Sequence, residues 1–198
     1  MKTALPHLKS EPKIASVIAQ TELQPIPYRD PGVYANLVRA IVFQQLSGKA
    51  ASTIYARFLN LFQDRFPHPD LVLGMEIEDL RSVGLSRQKA NYIQNVARHF
   101  FERKIEPGRW EHLSDEDIIK ELTEIKGVGE WTVQMLLMFT LERPDVLPLK
   151  DLAVRNRAIE LFELEADTKR EMDRKIIAAT EPWRPYRTLA CRYLWSWK

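Results

Sequence analysis

The sequence of 198 residues contains one cysteine, Cys191, and seven glycines, and its formal net charge is only +2. Each shortage excludes something. A single thiol makes no intrachain disulfide framework and cannot supply a four-cysteine zinc or iron–sulfur site. It leaves the redox compartment open, with a reducing cytosol or nucleus the natural fit. A near-neutral charge means that a nucleic-acid partner has to be argued from local features, not from composition. No stretch approaches the ~20 uninterrupted apolar residues of a membrane span. The opening stretch MKTALPHLKSEPKIASVIAQ is broken by Pro6, Lys9, Glu11 and Pro12, leaving no apolar run long enough for a secretory signal, so none is expected. The chain is therefore expected in the cytoplasm or at the nucleoid of a bacterium, or in a nucleus.

What is present is a hydrophobic fraction of 45%, enough for a sizeable core in one compact domain or two small lobes. Apolar residues recur at helical spacing and strand-like alternation is scarce, so the expected fold class is all-α. The periodicity predicts helices over 12–21 and 33–45, the second apolar enough to be buried. Between them PIPYRDPG, at 25–32, reads as a linker, because its prolines cannot sit inside a helix. Ser47 is placed to cap the helix of GKAASTIYARFLNLF through its hydroxyl. HPDLVLGM breaks the chain near Pro67 and Pro69. EIEDLRSVGLSRQKANYIQNVARHFFER reads as helix, turn at Gly84, helix, and IEPGRWEHL as a loop. Ser114 caps the next helix, with Asp115, Glu116 and Asp117 in its first turn, where negative charge suits the helix dipole. A final aromatic-rich helix follows Pro182.

The chemistry concentrates in LTEIKGVGEWTVQMLLMFTLERPDVLPLKDLAVR. The glycines of KGVGEW permit a very tight turn between two helices. Amides around Gly127, Gly129 and Glu130 then point outward at a helix start, which makes an anion site that needs no lysine. DLRSVGLSRQKANYI echoes the same leucine, turn, helix pattern. On the residues alone, a plain helix–helix turn remains equally open.

The whole stretch resembles the signature of the helix-hairpin-helix DNA glycosylase superfamily, and within it the 3-methyladenine DNA glycosylase II, or alkylation-repair, branch. The resemblance runs from about residue 33 to residue 197. It implies a two-lobed all-α fold: a central lobe of about 47–150 carrying the hairpin at 122–134, with the N- and C-terminal segments forming the other lobe. The additional N-terminal β domain of some relatives is not expected in this chain. Asp151 matches the catalytic aspartate of the family. A carboxylate there stabilises positive charge on a sugar as the base departs and orients a water. Trp131 stands where lyase-type relatives place a Schiff-base lysine. An indole cannot form an imine, but it can stack on a cationic methylated purine. Trp183, Gln44, Phe43 and Met135 complete the base pocket that the resemblance implies, with Trp183 and Trp131 sandwiching the base. Gln45 or Leu46 serves as the wedge that fills the duplex after base flipping. Val128, Thr132, Ser47, Lys49, Lys89 and Arg155, with the hairpin glycines and Glu130, form the expected DNA contact, and Arg87 is a further candidate for a phosphate. Backbone carbonyls of Thr123, Ile125 and Val128 match the family's monovalent-cation site, Na+ or K+; no organic cofactor is implied.

Two positions depart from the branch. Lys150 replaces an acidic residue common before the aspartate, and Met135 stands at a position that is aromatic in some relatives. The expected function is a monofunctional glycosylase that removes alkylated purines from double-stranded DNA, acting as a monomer. A glycosylase/lyase using Lys150 and a non-catalytic helix-hairpin-helix DNA-binding module are the alternatives.

Overall fold

The computed structural model describes residues 3–23 and 32–198. The predicted linker lies, except for Gly32, outside them. Among the described residues every regular element is helical, and no helix is long and apolar enough to cross a membrane. The chain divides into two compact units: Arg29–Leu136, and Met1–Tyr28 with Leu137–Lys198.

The first unit is built around α7 (Arg87–Glu102), which buries Ala90, Ile93, Val96, Ala97 and Phe100 along one helical stripe. Against it pack α3 (Gly32–Phe43), α5 (Pro69–Leu73) and α6 (Ile77–Ser82), while α4 (Gly48–Leu59) packs on α3. Helix α3 buries Val33, Tyr34, Ala35, Leu37, Val38, Ile41 and Val42. That many apolar side chains need cover on several sides, which explains a correction to the expected lobe boundary. The unit takes in α3 instead of starting near residue 47. It also ends at Leu136, well before residue 150.

Serine hydroxyls open three helices. Ser47 accepts from Ala50 N at 3.5 Å, Ser86 from Lys89 N at 3.2 Å, and Ser114 from Asp117 N at 3.1 Å. The last begins α8 (Asp115–Thr123), which leads through the hairpin to α9 (Glu130–Phe139). IEPGRWEHL is not a loop but contains a 3-10 turn, Pro107–His112, that buries Trp110. Pro69 likewise starts α5 rather than only interrupting the chain, since a first-turn proline sacrifices no helical hydrogen bond.

The second unit holds α1 (Ala4–Lys9), α2 (Pro12–Gln20), α10 (Leu152–Phe162), α11 (Lys169–Thr180) and α12 (Arg187–Ser196). Helices α2, α11 and α12 all pack on α10. The final helix begins at Arg187, not at Pro182, because a 3-10 turn over Glu181–Trp183 precedes it. The segment before Asp151 is fastened to α12. Thr188 Oγ1 donates to Arg143 O at 2.6 Å and accepts from Val146 N at 3.0 Å. The buried Arg187 grips Asp145 through Nε–Oδ1 at 2.7 Å and Nη2–Oδ2 at 2.9 Å. These bonds are why residues 137–150 belong with this unit.

Candidate functional site

In the first unit the hairpin closes with Val128 N donating to Ile125 O at 3.0 Å, and α9 starts with Val133 N donating to Gly129 O at 3.1 Å. Ile125 and Val128 are buried, so their side chains pin the turn, while Lys126 and Gly129 are exposed. Gly127 has φ +109°, a region closed to L-residues, and Tyr92 of α7 lies directly against it. Gly129 is exposed, with nothing within 4 Å of the place a Cβ would occupy. Thr132, expected at the DNA surface, is buried at 6% exposure, so its hydroxyl is withdrawn from that role. Glu130 accepts from Gln134 Nε2 at 3.3 Å, which draws its carboxylate along the helix.

The other predicted element of this unit, the turn after α3, is tied to the hairpin: Gln44 Nε2 donates to Gly127 O at 3.2 Å. Gln45 sits at φ 55°, a left-handed backbone that costs of order 1 kcal/mol in a non-glycine residue. Leu46, next to it, is 40% exposed. A strained turn presenting an apolar side chain to solvent suits a wedge better than a packing element. Ser47 spends its hydroxyl on the cap of α4, and Lys49 is exposed in that helix's first turn.

Lys89 requires a correction. Its ammonium donates to Val42 O at 2.8 Å and Gln44 O at 2.7 Å, closing the carboxyl end of α3. Burial lowers its pKa from the usual lysine value. It holds the turn in place rather than a phosphate. Phe43 is also committed within the unit, with Arg39 lying 3.9 Å over its ring and Tyr55 edge-on at 6.1 Å. Arg87 pairs with Glu78 at 2.5 Å. Trp131 has the opposite character: it is 45% exposed, one turn before the half-buried Met135 on the same face of α9. Its indole thus stands partly at the surface, two residues past the exposed Gly129.

In the second unit Asp151 is the N-cap of α10. Its Oδ1 accepts from Val154 N at 3.0 Å and from Trp195 Nε1 at 2.9 Å. Its own N–H donates to Pro148 O at 2.9 Å, closing a turn. The side chain is half-buried, Lys150 is exposed, and the neighbouring Leu152 is 72% exposed. Arg155 is bound to Asp173 and largely covered, so it is withdrawn from the expected phosphate contacts. Cys191 is fully buried, and burial pushes its thiol pKa upward, so it is no nucleophile.

Trp183 is the clearest correction. It is 1% exposed and packs on Phe162 at 5.6 Å between ring centroids, so it is core rather than a wall of a base pocket. Trp183→Ala should therefore lower stability by about 3–5 kcal/mol, the usual range for deleting a buried large aromatic. Denaturant unfolding measures the loss, and DNA affinity of the folded fraction should stay unchanged. Sequence reasoning missed Trp195 and the Arg187–Asp145 pair. The density of aromatics in the tail was a signal for the first; nothing local marked the second.

Comparison with known proteins converges on one family. The model of the HhH-GPD superfamily base excision DNA repair protein matches residues 38–183. The putative DNA-3-methyladenine glycosylase YfjP of Bacillus subtilis is 33% identical over 84% of this chain, and the match spans 59% of that relative, less than two thirds of its length. DNA-3-methyladenine glycosylase 1 of Schizosaccharomyces pombe is 38% identical over 82% of this chain and 71% of its own. The structure of Schizosaccharomyces pombe 3-methyladenine DNA glycosylase Mag1 in complex with abasic DNA superposes with a TM-score of 0.76 at 32% identity, covering 97% of this chain and 94% of the other. With an all-helical fold, the Gly-Val-Gly hairpin and the capping aspartate downstream of it, the chain belongs to the HhH-GPD superfamily of base excision DNA repair proteins, in its alkylation-repair branch.

Proposed function

We infer that this chain is a monofunctional DNA glycosylase of alkylation repair, which flips an N3- or N7-methylated purine out of duplex DNA and hydrolyses its N-glycosidic bond. The observation that carries the reading is the carboxylate of Asp151, held by two donors on one oxygen after a hairpin of family type. Cleavage of the C1′–N bond sends its electron pair into the cationic base, which leaves neutral. Positive charge builds on the sugar, and a fixed carboxylate stabilises it. Water attacks C1′, its proton passes to a carboxylate or to solvent, and an abasic site remains. Because the methylated base is already a good leaving group, little acid catalysis is needed.

The other residues take roles that suit their exposure. The indole of Trp131 stacks on the cationic base, a contact worth ~0.5–2 kcal/mol. Leu46, with Gln45, fills the gap left in the duplex. Amides of Gly127, Gly129 and Glu130 hold a phosphate, which suits a chain of low net charge. A monovalent cation at the carbonyls of Thr123, Ile125 and Val128 fits the hairpin: Ile125 O accepts one bond, from Val128 N, and a carbonyl keeps a second lone pair for an ion. Such an ion would add positive charge at the hairpin. The protein acts as a monomer on double-stranded DNA carrying one damaged base.

Lys150 separates this reading from a glycosylase/lyase. An imine at C1′ needs an amine aimed at the sugar. Lys150 is exposed while its neighbour Asp151 is half-buried, and Trp131 occupies the position from which lyase relatives supply the amine. Duplexes each carrying one defined lesion, incubated with enzyme, should lose methylated purines and break only after alkali. Borohydride during turnover should trap no covalent complex. A trapped complex that vanishes in Lys150→Ala would make the lyase reading the correct one, and no base release from any methylated duplex would leave a DNA-binding module.

A further inference from the structure

We propose that Trp195 is a positioning residue for Asp151, and that α12 thereby sets the angle of the reactive carboxylate. The proposal rests on the reading that Asp151 acts on the sugar. A carboxylate turns readily about its Cβ–Cγ bond, because that torsion has broad minima. The helix cap, from Val154 N, holds one carboxylate oxygen through the helix's own backbone. A second donor arriving on the same oxygen from another element restrains the carboxylate plane further. The Trp195 indole is such a donor, at 2.9 Å.

The donor is itself rigid. Its ring stacks on Phe139, with centroids 5.7 Å apart and planes at 29°. It projects from α12, the helix whose Arg187 and Thr188 also hold Asp145, Arg143 and Val146 in the chain leading to Asp151. One helix therefore references both the backbone approaching Asp151 and its carboxylate. A partly covered indole N–H needs an acceptor, and a backbone carbonyl would satisfy that need equally well. Spending a lone pair of the acidic oxygen instead points to a bond that serves the carboxylate. Holding catalytic groups to a narrow geometry is a large part of how rate is gained, and small misplacements are costly.

The test joins kinetics to a spectroscopic signature. Trp195→Phe keeps the ring stack and removes the N–H. On a duplex with one N-methylated purine, its single-turnover excision should fall by about ten- to a hundredfold. Its affinity for a duplex with a stable abasic-site analogue should stay within about twofold of wild type. Trp195→His, which restores a ring N–H, should recover part of the rate. In 15N-indole-labelled protein, one of the five tryptophan signals disappears in Trp195→Phe, and that same signal should move upfield in Asp151→Asn as its acceptor loses charge. Wild-type excision by a folded Trp195→Phe, or an unmoved indole signal in Asp151→Asn, overturns the proposal. If the wild-type enzyme released no base, the functional reading and the positioning role would both fall, while the indole signal would still report whether the contact exists.

Discussion

Asp151→Asn should bind damaged DNA as wild type does and excise methylated adenine about a thousandfold more slowly. The magnitude follows from the charge. A carboxylate ~4 Å from a developing unit charge contributes about 4 kcal/mol at the effective dielectric of a protein surface. Each ~1.4 kcal/mol is a factor of ten in rate, so losing that attraction removes three decades. The fold should be spared. Asparagine is as good a helix cap as aspartate, and its carbonyl oxygen can still accept from Val154 N and Trp195 Nε1, the two donors on Oδ1. Asp151→Ala provides the contrast, because it loses the cap as well and should cost roughly 1 kcal/mol of stability. Single-turnover kinetics on lesion DNA, with binding measured separately, distinguishes the effects. Release of methylated adenine by Asp151→Asn at the wild-type rate would remove Asp151 from the chemistry.

The place of Asp151 just before a helix was legible in the sequence because that signal is local, whereas the role proposed for its carboxylate came from the family resemblance. The serine caps at 47 and 114 were legible for the same reason, since a hydroxyl three residues before an open amide acts over a few ångströms. The residues misassigned from sequence are those whose partners lie far along the chain. Lys89 reads as a solvated cation until the fold sets it beneath the end of α3, 45 residues away at Gln44. Arg155 reads as a phosphate ligand until Asp173 of α11 covers it, and α11 was itself unseen. Its sequence KREMDRKIIAAT buries only Ile176 and Thr180 fully, and five of its first six residues are charged.

Trp183 and Trp195 show the limit most clearly. Both sit in one aromatic-rich tail, and periodicity alone does not say which ring is core and which serves Asp151. The 3-10 turn over Glu181–Trp183 decides it by turning Trp183 inward against Phe162, while α12 carries Trp195 to the carboxylate. The family of the chain could be read from a motif. The distribution of work between two tryptophans depended on how a turn enters a helix.

The two hairpin glycines should respond to substitution in opposite ways. At Gly127 the backbone has φ +109°, and an added Cβ would lie 2.3 Å from Cγ and 2.7 Å from Cβ of Tyr92. Those are the root of the tyrosine side chain, which cannot swing aside. Backbone strain and overpacking each cost ~1–3 kcal/mol, so Gly127→Ala should lose about 2–6 kcal/mol, a large share of a typical domain's stability. The carbonyl of Gly127 also accepts from Gln44, so the turn bearing Leu46 should loosen with it. Gly129 has no positive φ and nothing within 4 Å of its Cβ position. Gly129→Val should therefore leave stability within about 0.5 kcal/mol of wild type. What it should lose is DNA. A valine over the exposed amides keeps a phosphate from hydrogen bonds worth ~1.5–3 kcal/mol, or roughly ten- to a hundredfold in Kd, on damaged and undamaged duplexes alike. The salt dependence of wild-type binding should be shallow, since few cations take part. Denaturant unfolding and fluorescence anisotropy with labelled duplexes read the two effects apart. An unchanged unfolding midpoint in Gly127→Ala would contradict the tight packing of the turn on Tyr92, and wild-type affinity in Gly129→Val would show that DNA does not approach the hairpin amides.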